Sequence, residues 1–193
     1  MKSQDIFILL KLVSLSQQEE SGEISEAVND SENMITVSDR YSARGLAAAL
    51  GVSKTEVNAS INRSIAVGMA KHERETGYPR ANKSALLEFI CHGLKYVFPV
   101  KPAEITRGIP TGFAAPGLKG ELMSTGDYIY VWPDAKGKEK GQTVTPLFKS
   151  VPEAVKKDPR LYEYLALVDA VRLGNPRESK LAISRLEERL KSR

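Results

Sequence analysis

Five polar side chains recur at helical spacing in the middle of the sequence, and their chemistry suits the edges of nucleic-acid bases. They follow Ser53 directly and are Lys54, Thr55, Asn58, Asn62 and Arg63. An Asn side chain pairs in two places with adenine, and Lys or Arg suits guanine. Ser53 and the free amides at a helix start are suited to hold phosphate instead. The alternative for each residue is an exposed polar side chain that contacts nothing.

The residues that precede this stripe predict a short helix and a tight turn. Ser42 is suited to cap a helix over Ala43–Leu50, in which Leu46 and Leu50 face inward. Gly51 ends that helix, because glycine tolerates the left-handed conformation of a helix exit. This pattern positions the polar stripe at the start of a second helix.

The second helix has its own start signal and its own buried side. Ser53 and Glu56 are spaced as in a capping box, in which each side chain bonds a free amide of the other residue. Val57 and Ile61 line the predicted buried side, and Ser60 stands where an apolar residue is common. Two helices joined in this way predict a helix-turn-helix, whose second helix enters the DNA major groove. The alternative is an ordinary helical hairpin within a core.

Two further elements complete a winged helix-turn-helix in this interpretation. A first helix with Ile6, Leu9 and Leu10 on one face supplies the third helix, and residues 71–83 supply the wing. Basic residues on the first helix of the motif and on the wing are candidates for phosphate or minor-groove contacts: Arg44, Lys71, Arg74, Arg80 and Lys83. A solvated charge without a partner is the alternative for each of them.

The predicted fold class is mainly α with a small β wing (α+β), in two regions. Residues 1–98 form the winged helix-turn-helix domain, with a flexible acidic insert at 16–39 and a helix over 83–97. Residues 99–193 comprise an irregular Gly- and Pro-rich segment to residue 150, with one strand-like patch at 128–132, and then C-terminal helices. Helices are expected over 161–172 and from Pro176, capped by Asn175, to about Leu190.

Composition excludes several classes of protein. The chain has 193 residues, 41% hydrophobic and 27% charged, and no apolar run long enough to span a membrane. One cysteine excludes an internal disulfide, and one Cys with two His argues against a zinc site. Cys91 and His92 diverge by about 100° on a helix, so they do not form a nucleophile–base pair. We therefore expect a cytoplasmic protein that is not an enzyme and that needs no cofactor and no metal.

Charge is segregated along the chain. Residues 1–39 have a net charge of −6, whereas residues 40–83 have a net charge of +5. The positive block coincides with the predicted helix-turn-helix and wing, so it favours an anionic partner.

Six stretches resemble a family of bacterial winged helix-turn-helix proteins, the regulators of the multiple-antibiotic-resistance type. They lie at residues 5–12, 41–61, 86–99, 106–111, 161–174 and 177–190. The acidic stretch at 16–39 departs from that pattern, which has a short connection there. The resemblance implies a partner in a two-gene operon with a nucleotidyltransferase-like toxin, of which this chain is the DNA-binding antitoxin.

Two functional hypotheses follow, and they are compatible. The first is a sequence-specific repressor that binds double-stranded DNA as a homodimer. The leucines of the C-terminal helices either make the dimer contact or cover the protein's own core. The second is a protein-interaction module that neutralises a cognate toxin, with DNA binding secondary. In that case Tyr128, Tyr130 and Trp132 are the expected anchors, since aromatic residues dominate interface energetics.

Overall fold

The computed structural model describes residues 1–24, 36–120 and 128–191, and its centre is a single long helix, α1 (Ser3–Glu20). Every residue from Gln4 to Leu15 is buried, so this part of α1 is enclosed on all sides. The predicted one-sided stripe is therefore wrong for this helix, because elements from both ends of the chain pack around it.

The acidic insert is shorter than the sequence predicts. Residues 16–20 belong to α1, and a new helix, α2 (Val37–Tyr41), begins within the predicted loop. Thr36 caps α2, since its hydroxyl accepts a hydrogen bond from the Asp39 backbone amide at 3.1 Å. The prediction of a flexible segment is wrong at these two ends, and its residues 25–35 lie outside the described ranges.

The helix-turn-helix elements follow in the predicted order. They are α3 (Ala43–Leu50), α4 (Lys54–Ala66), the antiparallel hairpin of β1 (Ala70–His72) and β2 (Pro79–Ala81), and α5 (Lys83–His92). Asn82 caps α5 through its side-chain oxygen, 3.2 Å from the Ala85 amide. The predicted helix over 83–97 breaks at Gly93, and a separate turn, α6 (Leu94–Val97), leaves Val97 exposed.

The prediction of an irregular segment at 99–150 is wrong for the residues that the structure describes there, which include three strands, one of them at the predicted strand-like patch. The segment contains β3 (Ile105–Thr111), two short 3₁₀ turns, β4 (Tyr130–Pro133) and β5 (Glu139–Thr143). β3 pairs antiparallel with both other strands, which pair parallel with each other, so the three strands close into a small barrel. Gly108 permits this closure, because a Cβ atom there would lie 2.0 Å from the Trp132 carbonyl oxygen.

Three helices complete the chain: α7 (Val151–Val155), α8 (Pro159–Leu173) and α9 (Pro176–Lys191). α8 begins two residues before the predicted start, with Asp158 as its N-cap and Pro159 in the first turn. One hydrophobic core includes residues from both sides of the predicted boundary at 98/99. The architecture is thus mainly helical with a small β component, as the predicted α+β class requires.

The C-terminal leucines belong to this core. Five apolar residues of α8 and α9 that were candidates for a dimer contact are at most 3% exposed: Leu161, Leu165, Val168, Leu186 and Leu190. Leu181 is partly buried and packs against the same core. A dimer contact through these side chains is therefore wrong, and the second interpretation, that they cover the protein's own core, is confirmed.

Buried polar networks fix α8 against the rest of the molecule. Lys11 Nζ lies 2.7 Å from Asp158 Oδ2, which also accepts a hydrogen bond from Ser14. Further along α8, the Asp169 carboxylate accepts hydrogen bonds from Trp132 and Thr111 and pairs with Arg172. These side chains are satisfied by one another, which is the condition for burying charge at tolerable cost.

Among the helices of the described ranges, none combines the length and the apolar character that crossing a membrane requires.

Candidate nucleic-acid interface

The turn between α3 and α4 has the geometry that the sequence predicts. The Ser42 hydroxyl accepts from the Gly45 amide at 3.0 Å, and α3 ends at Gly51 with a left-handed φ of 64°. Gly51 donates its N–H to the Ala47 carbonyl oxygen at 2.9 Å. Val52 is buried directly after the turn, so the two helices are joined by a short apolar link.

The start of α4 is capped, but only one half of the predicted capping box is formed. The Ser53 hydroxyl accepts from the Glu56 amide at 3.2 Å. The Glu56 carboxylate turns towards α1, where it accepts a hydrogen bond from the side-chain amide of Gln4 and lies 3.6 Å from Lys2 Nζ. The hydrogen bond from Gln4 and the charge of Lys2 lower the pKa of Glu56. The reciprocal half of the box is absent because α1 competes for this side chain.

The two sides of α4 differ sharply. Val57, Ser60, Ile61 and Ser64 are buried against the body of the protein. The opposite side is exposed, and in the described ranges no side chain on it has a hydrogen-bond or ion-pair partner; it carries Lys54, Thr55, Asn58 and Asn62. At about 100° per residue these four positions fall within about 100° of arc, so they form one continuous polar stripe.

Arg63 does not belong to this stripe. Its guanidinium makes two hydrogen bonds to the Asp5 carboxylate, from Nε at 3.1 Å and from Nη2 at 2.7 Å. Asp5 is fully buried in α1. Burial raises the pKa of Asp5, but hydrogen bonds from Arg63 and from the Lys2 backbone amide outweigh it and hold that pKa below its usual value. This geometry favours a structural role for Arg63 over the predicted base contact, because its charge neutralises a buried carboxylate.

The predicted phosphate contacts divide into free and engaged residues. Arg44 on α3, Lys71 on β1 and Arg74 after β1 are exposed, and none has a hydrogen-bond or ion-pair partner within the part of the chain that the structure describes. Lys83 Nζ lies 3.6 Å from Glu20 Oε1 and is partly buried. Lys83 is therefore already paired with a carboxylate, unlike the other three cations.

Arg80 is also engaged, and it anchors the hairpin to the core. Its guanidinium hydrogen-bonds to Glu19 at 2.6 Å and to Glu73 at 2.9 Å, and it lies 4.6 Å from the centre of the Tyr41 ring. The Tyr41 and Tyr78 rings stack with their centres 4.8 Å apart. Burial raises the pKa of Tyr41, which keeps its hydroxyl neutral. Arg80 is thus a structural residue, and its engaged guanidinium does not favour the predicted phosphate contact.

One exposed cation near this turn was not predicted from the sequence. Lys149 is exposed and precedes Ser150, whose hydroxyl donates to the Leu50 carbonyl oxygen at the end of α3. The two segments are 100 residues apart in the chain. No local pattern reports such a contact, so no signal in the sequence could have placed Lys149 there.

The aromatic anchors expected for a protein partner are not equivalent in the structure. Trp132 is 1% exposed, and its indole N–H donates to Asp169 Oδ2 at 2.6 Å. Tyr130 is partly buried, whereas Tyr128 is 51% exposed. The prediction that Trp132 is an interface anchor is wrong, because its side chain is part of the core.

Cys91 and His92 show no catalytic arrangement. The Cys91 thiol is half-buried on α5, and burial together with the nearby Glu187 and Glu88 carboxylates raises its pKa. The exposed His92 ring lies 3.5 Å from Glu88 on the same helix. A thiol with a raised pKa is a poor nucleophile at neutral pH.

Comparisons of the chain with protein-family models, curated proteins and solved structures found no match.

Proposed function

We propose that this protein is a sequence-specific DNA-binding regulator of transcription that acts as a repressor, with the elements α1, α3, α4 and the β1–β2 hairpin serving as a winged helix-turn-helix. The observation that carries this proposal is the polar stripe of α4, which faces solvent while the opposite side of the helix is held in the core. A helix with one fixed side and one unpartnered polar side is suited to enter a groove.

The dimensions and chemistry of the stripe support this proposal. α4 has 13 residues, so it is about 20 Å long, and the major groove is wide enough to admit an α-helix. Asn58 and Asn62 lie one helical turn apart, and each is suited to a bidentate contact with adenine. Lys54, at the start of the helix, is suited to guanine or to a phosphate.

The cations that flank α4 support the same orientation. Arg44 on α3 precedes the turn, and Lys71 and Arg74 lie on the hairpin that follows α4. Contacts from such residues to phosphates fix the register of the protein on the duplex without reading sequence. The hairpin is held to α1 by Arg80, so it presents these two cations from a fixed position.

The oligomeric state and the antitoxin role are further parts of this proposal. A homodimer would present two half-sites and so add affinity and specificity, and its contact must lie outside the core leucines of α8 and α9. The antitoxin role is drawn from the resemblance to the bacterial regulators. The burial of Trp132 removes the strongest anchor of the rival interpretation, in which protein interaction is primary.

The experiment is a salt titration of binding to the DNA upstream of the protein's own gene and to a scrambled duplex. Asn58→Ala is expected to reduce discrimination at one base pair by about 1–3 kcal/mol. Lys71→Ala is expected to weaken binding to both duplexes equally and to lower the salt slope by about one. Equal losses for both variants on every duplex would contradict the assignment of α4 as the reading helix.

A further inference from the structure

We propose that the protein has a second DNA-contacting surface on its small barrel, formed by Arg107, Lys138 and Lys140, which binds the phosphate backbone of the same duplex beside the segment occupied by α4. We call these three residues the barrel basic surface. The inference rests on the proposed function, because it adds a contact to the same partner.

The register of the barrel places two of these cations directly opposite each other. Arg107 of β3 is the cross-strand partner of Lys140 of β5, and both are exposed. Side chains in such a pair are close enough to interact, and like charges there destabilise the sheet. Among the described residues, none forms an ion pair with Arg107, Lys138 or Lys140. A repulsive pair without a neutralising partner in this part of the chain is suited to an external polyanion.

The neighbouring acidic residue does not cancel this charge. Glu139 lies between the two lysines in sequence, but alternate side chains of a strand point to opposite faces. Its cross-strand partner is Gly108, not Arg107. Arg107 and Lys140 therefore share a face of the strand pair that Glu139 does not occupy.

The turn that carries Lys138 is rigid. The Asp134 amide donates to the Arg107 carbonyl oxygen at 3.2 Å, and the Gly137 amide donates to the Asp134 carbonyl oxygen at 2.9 Å. Gly137 packs directly on Gly108, since a Cβ atom at Gly137 would lie 2.3 Å from the Gly108 carbonyl oxygen. A rigid turn presents its cation at a fixed position, which reduces the entropy lost on binding.

The same turn is linked to the helix-turn-helix. Asp134 Oδ2 lies 2.7 Å from Lys156 Nζ, at the end of α7. At the other end of α7, Ser150 donates to the carbonyl oxygen of Leu50 on α3. α7 has five residues, so it is about 7.5 Å long. Asp134, α7 and Ser150 therefore connect the turn of the barrel to the turn that precedes α4.

Duplex DNA is the occupant that these observations favour. B-DNA carries one negative charge for about every 1.7 Å of its axis, so a duplex bound at α4 extends a dense row of phosphates past both ends of that helix. The link through α7 joins the barrel to the turn before α4, which favours a contact of the barrel basic surface with that row. An acidic protein segment is the alternative outcome of the test below.

The test compares two double variants on duplexes of two lengths. One removes the barrel lysines (Lys138→Ala with Lys140→Ala), and its matched control removes two exposed lysines from other elements (Lys119→Ala with Lys180→Ala). Binding is titrated with salt on mixed-sequence duplexes of about 12 bp, little more than one helical turn, and about 40 bp. Phosphate contacts do not depend on sequence, so knowledge of the operator is not needed.

On the long duplex, loss of two phosphate contacts is expected to lower the salt slope by about 1.8. The factor by which affinity falls between 50 and 200 mM salt is then expected to be about 12 times smaller for the variant than for the native protein. The control is expected to keep the native slope. On the short duplex, which offers fewer phosphates beyond α4, the barrel variant is expected to lower the slope by less than on the long duplex. The barrel variant is also expected to unfold at the same or a higher urea concentration, because repulsion is relieved.

Three results would overturn the inference, and they separate it from the proposed function. A barrel variant that matches the control on the long duplex, while Lys54→Ala weakens binding, refutes the second surface alone. Loss of binding to a poly-glutamate probe without any change in the DNA slope assigns the surface to an acidic protein. If the native protein binds neither duplex, both the inference and the proposed function are wrong.

Discussion

Replacing Arg63 with methionine tests whether this residue is structural, as the structure indicates, or a base reader, as the sequence predicts. Methionine is similar in length but has no charge, so the variant leaves the Asp5 carboxylate without its bidentate partner. Asp5 is fully buried, whereas 30% of the Arg63 side chain is exposed. The substitution therefore removes the neutralising charge without creating a large cavity.

The magnitude follows from the partners that remain. Removal of one member of a buried ion pair costs about 3–5 kcal/mol, because the other charge stays buried and uncompensated. Asp5 keeps a hydrogen bond of 2.7 Å from the Lys2 amide, and the Arg63 side chain is partly in contact with solvent. We therefore expect a loss of about 2–3 kcal/mol in the free energy of unfolding at pH 7.

The assay is urea denaturation at several pH values, with Asn62→Ala as the control. Asn62 is adjacent and exposed, so its substitution is expected to change the free energy of unfolding by less than about 0.5 kcal/mol. In the native protein the Asp5 pKa is lowered, so its contribution is present at neutral pH and is lost as pH falls below the unfolded-state pKa.

In the Arg63→Met variant, burial dominates and raises the Asp5 pKa, so the variant protonates this carboxyl first as pH falls. The stability difference between the two proteins is therefore expected to narrow between pH 7 and about pH 4. A difference below about 0.5 kcal/mol at pH 7, or one that widens in acid, would refute the structural role of Arg63.

Two other substitutions test the turn and the barrel by the same denaturation assay. Gly51→Ala is expected to lower the free energy of unfolding more than Gly68→Ala does. Both glycines have a left-handed φ, which costs about 1 kcal/mol for alanine, but only at Gly51 would the new Cβ lie 3.0 Å from Ser150. Equal costs would show that the Ser150 contact is unimportant. Trp132→Phe is expected to cost about 3 kcal/mol, because it removes a buried hydrogen bond to Asp169 and leaves a cavity. A loss no greater than that of Tyr128→Phe, at an exposed position, would contradict this account of Trp132.

Local signals in the sequence were sufficient for much of the first half of the chain. Ser42, Gly51, Ser53 and Asn82 occupy the helix ends that their side chains and conformations favour, because capping depends on neighbours within three or four residues. The exposed side of α4 could be predicted for the same reason, since helical spacing alone decides which side chains share a face.

Contacts between distant residues could not be predicted in this way. The partner of Arg63 is 58 residues away, and that of Glu56 is 52 residues away, so neither contact leaves a local signal in the sequence. Arg80 likewise pairs with Glu19 across 61 residues. Of the barrel strands, β4 overlaps the strand-like patch predicted at 128–132. The other two, β3 and β5, were missed because glycine or proline interrupts them and their pairing depends on closure rather than on alternation.

The most direct test of the central claim, that the exposed side of α4 enters the major groove, is site-directed cleavage of bound DNA. An iron chelate that generates hydroxyl radicals is attached at Asn58→Cys in a chain with Cys91→Ala, and at Lys180→Cys as the control. Cleavage from position 58 is expected at a few nucleotides within the protected region, in the strand offset characteristic of the major groove, and the control is expected to cleave weakly. The claim would be contradicted if the DNA is protected but position 58 produces no local cleavage. It would also be contradicted if position 180 produces more cleavage than position 58.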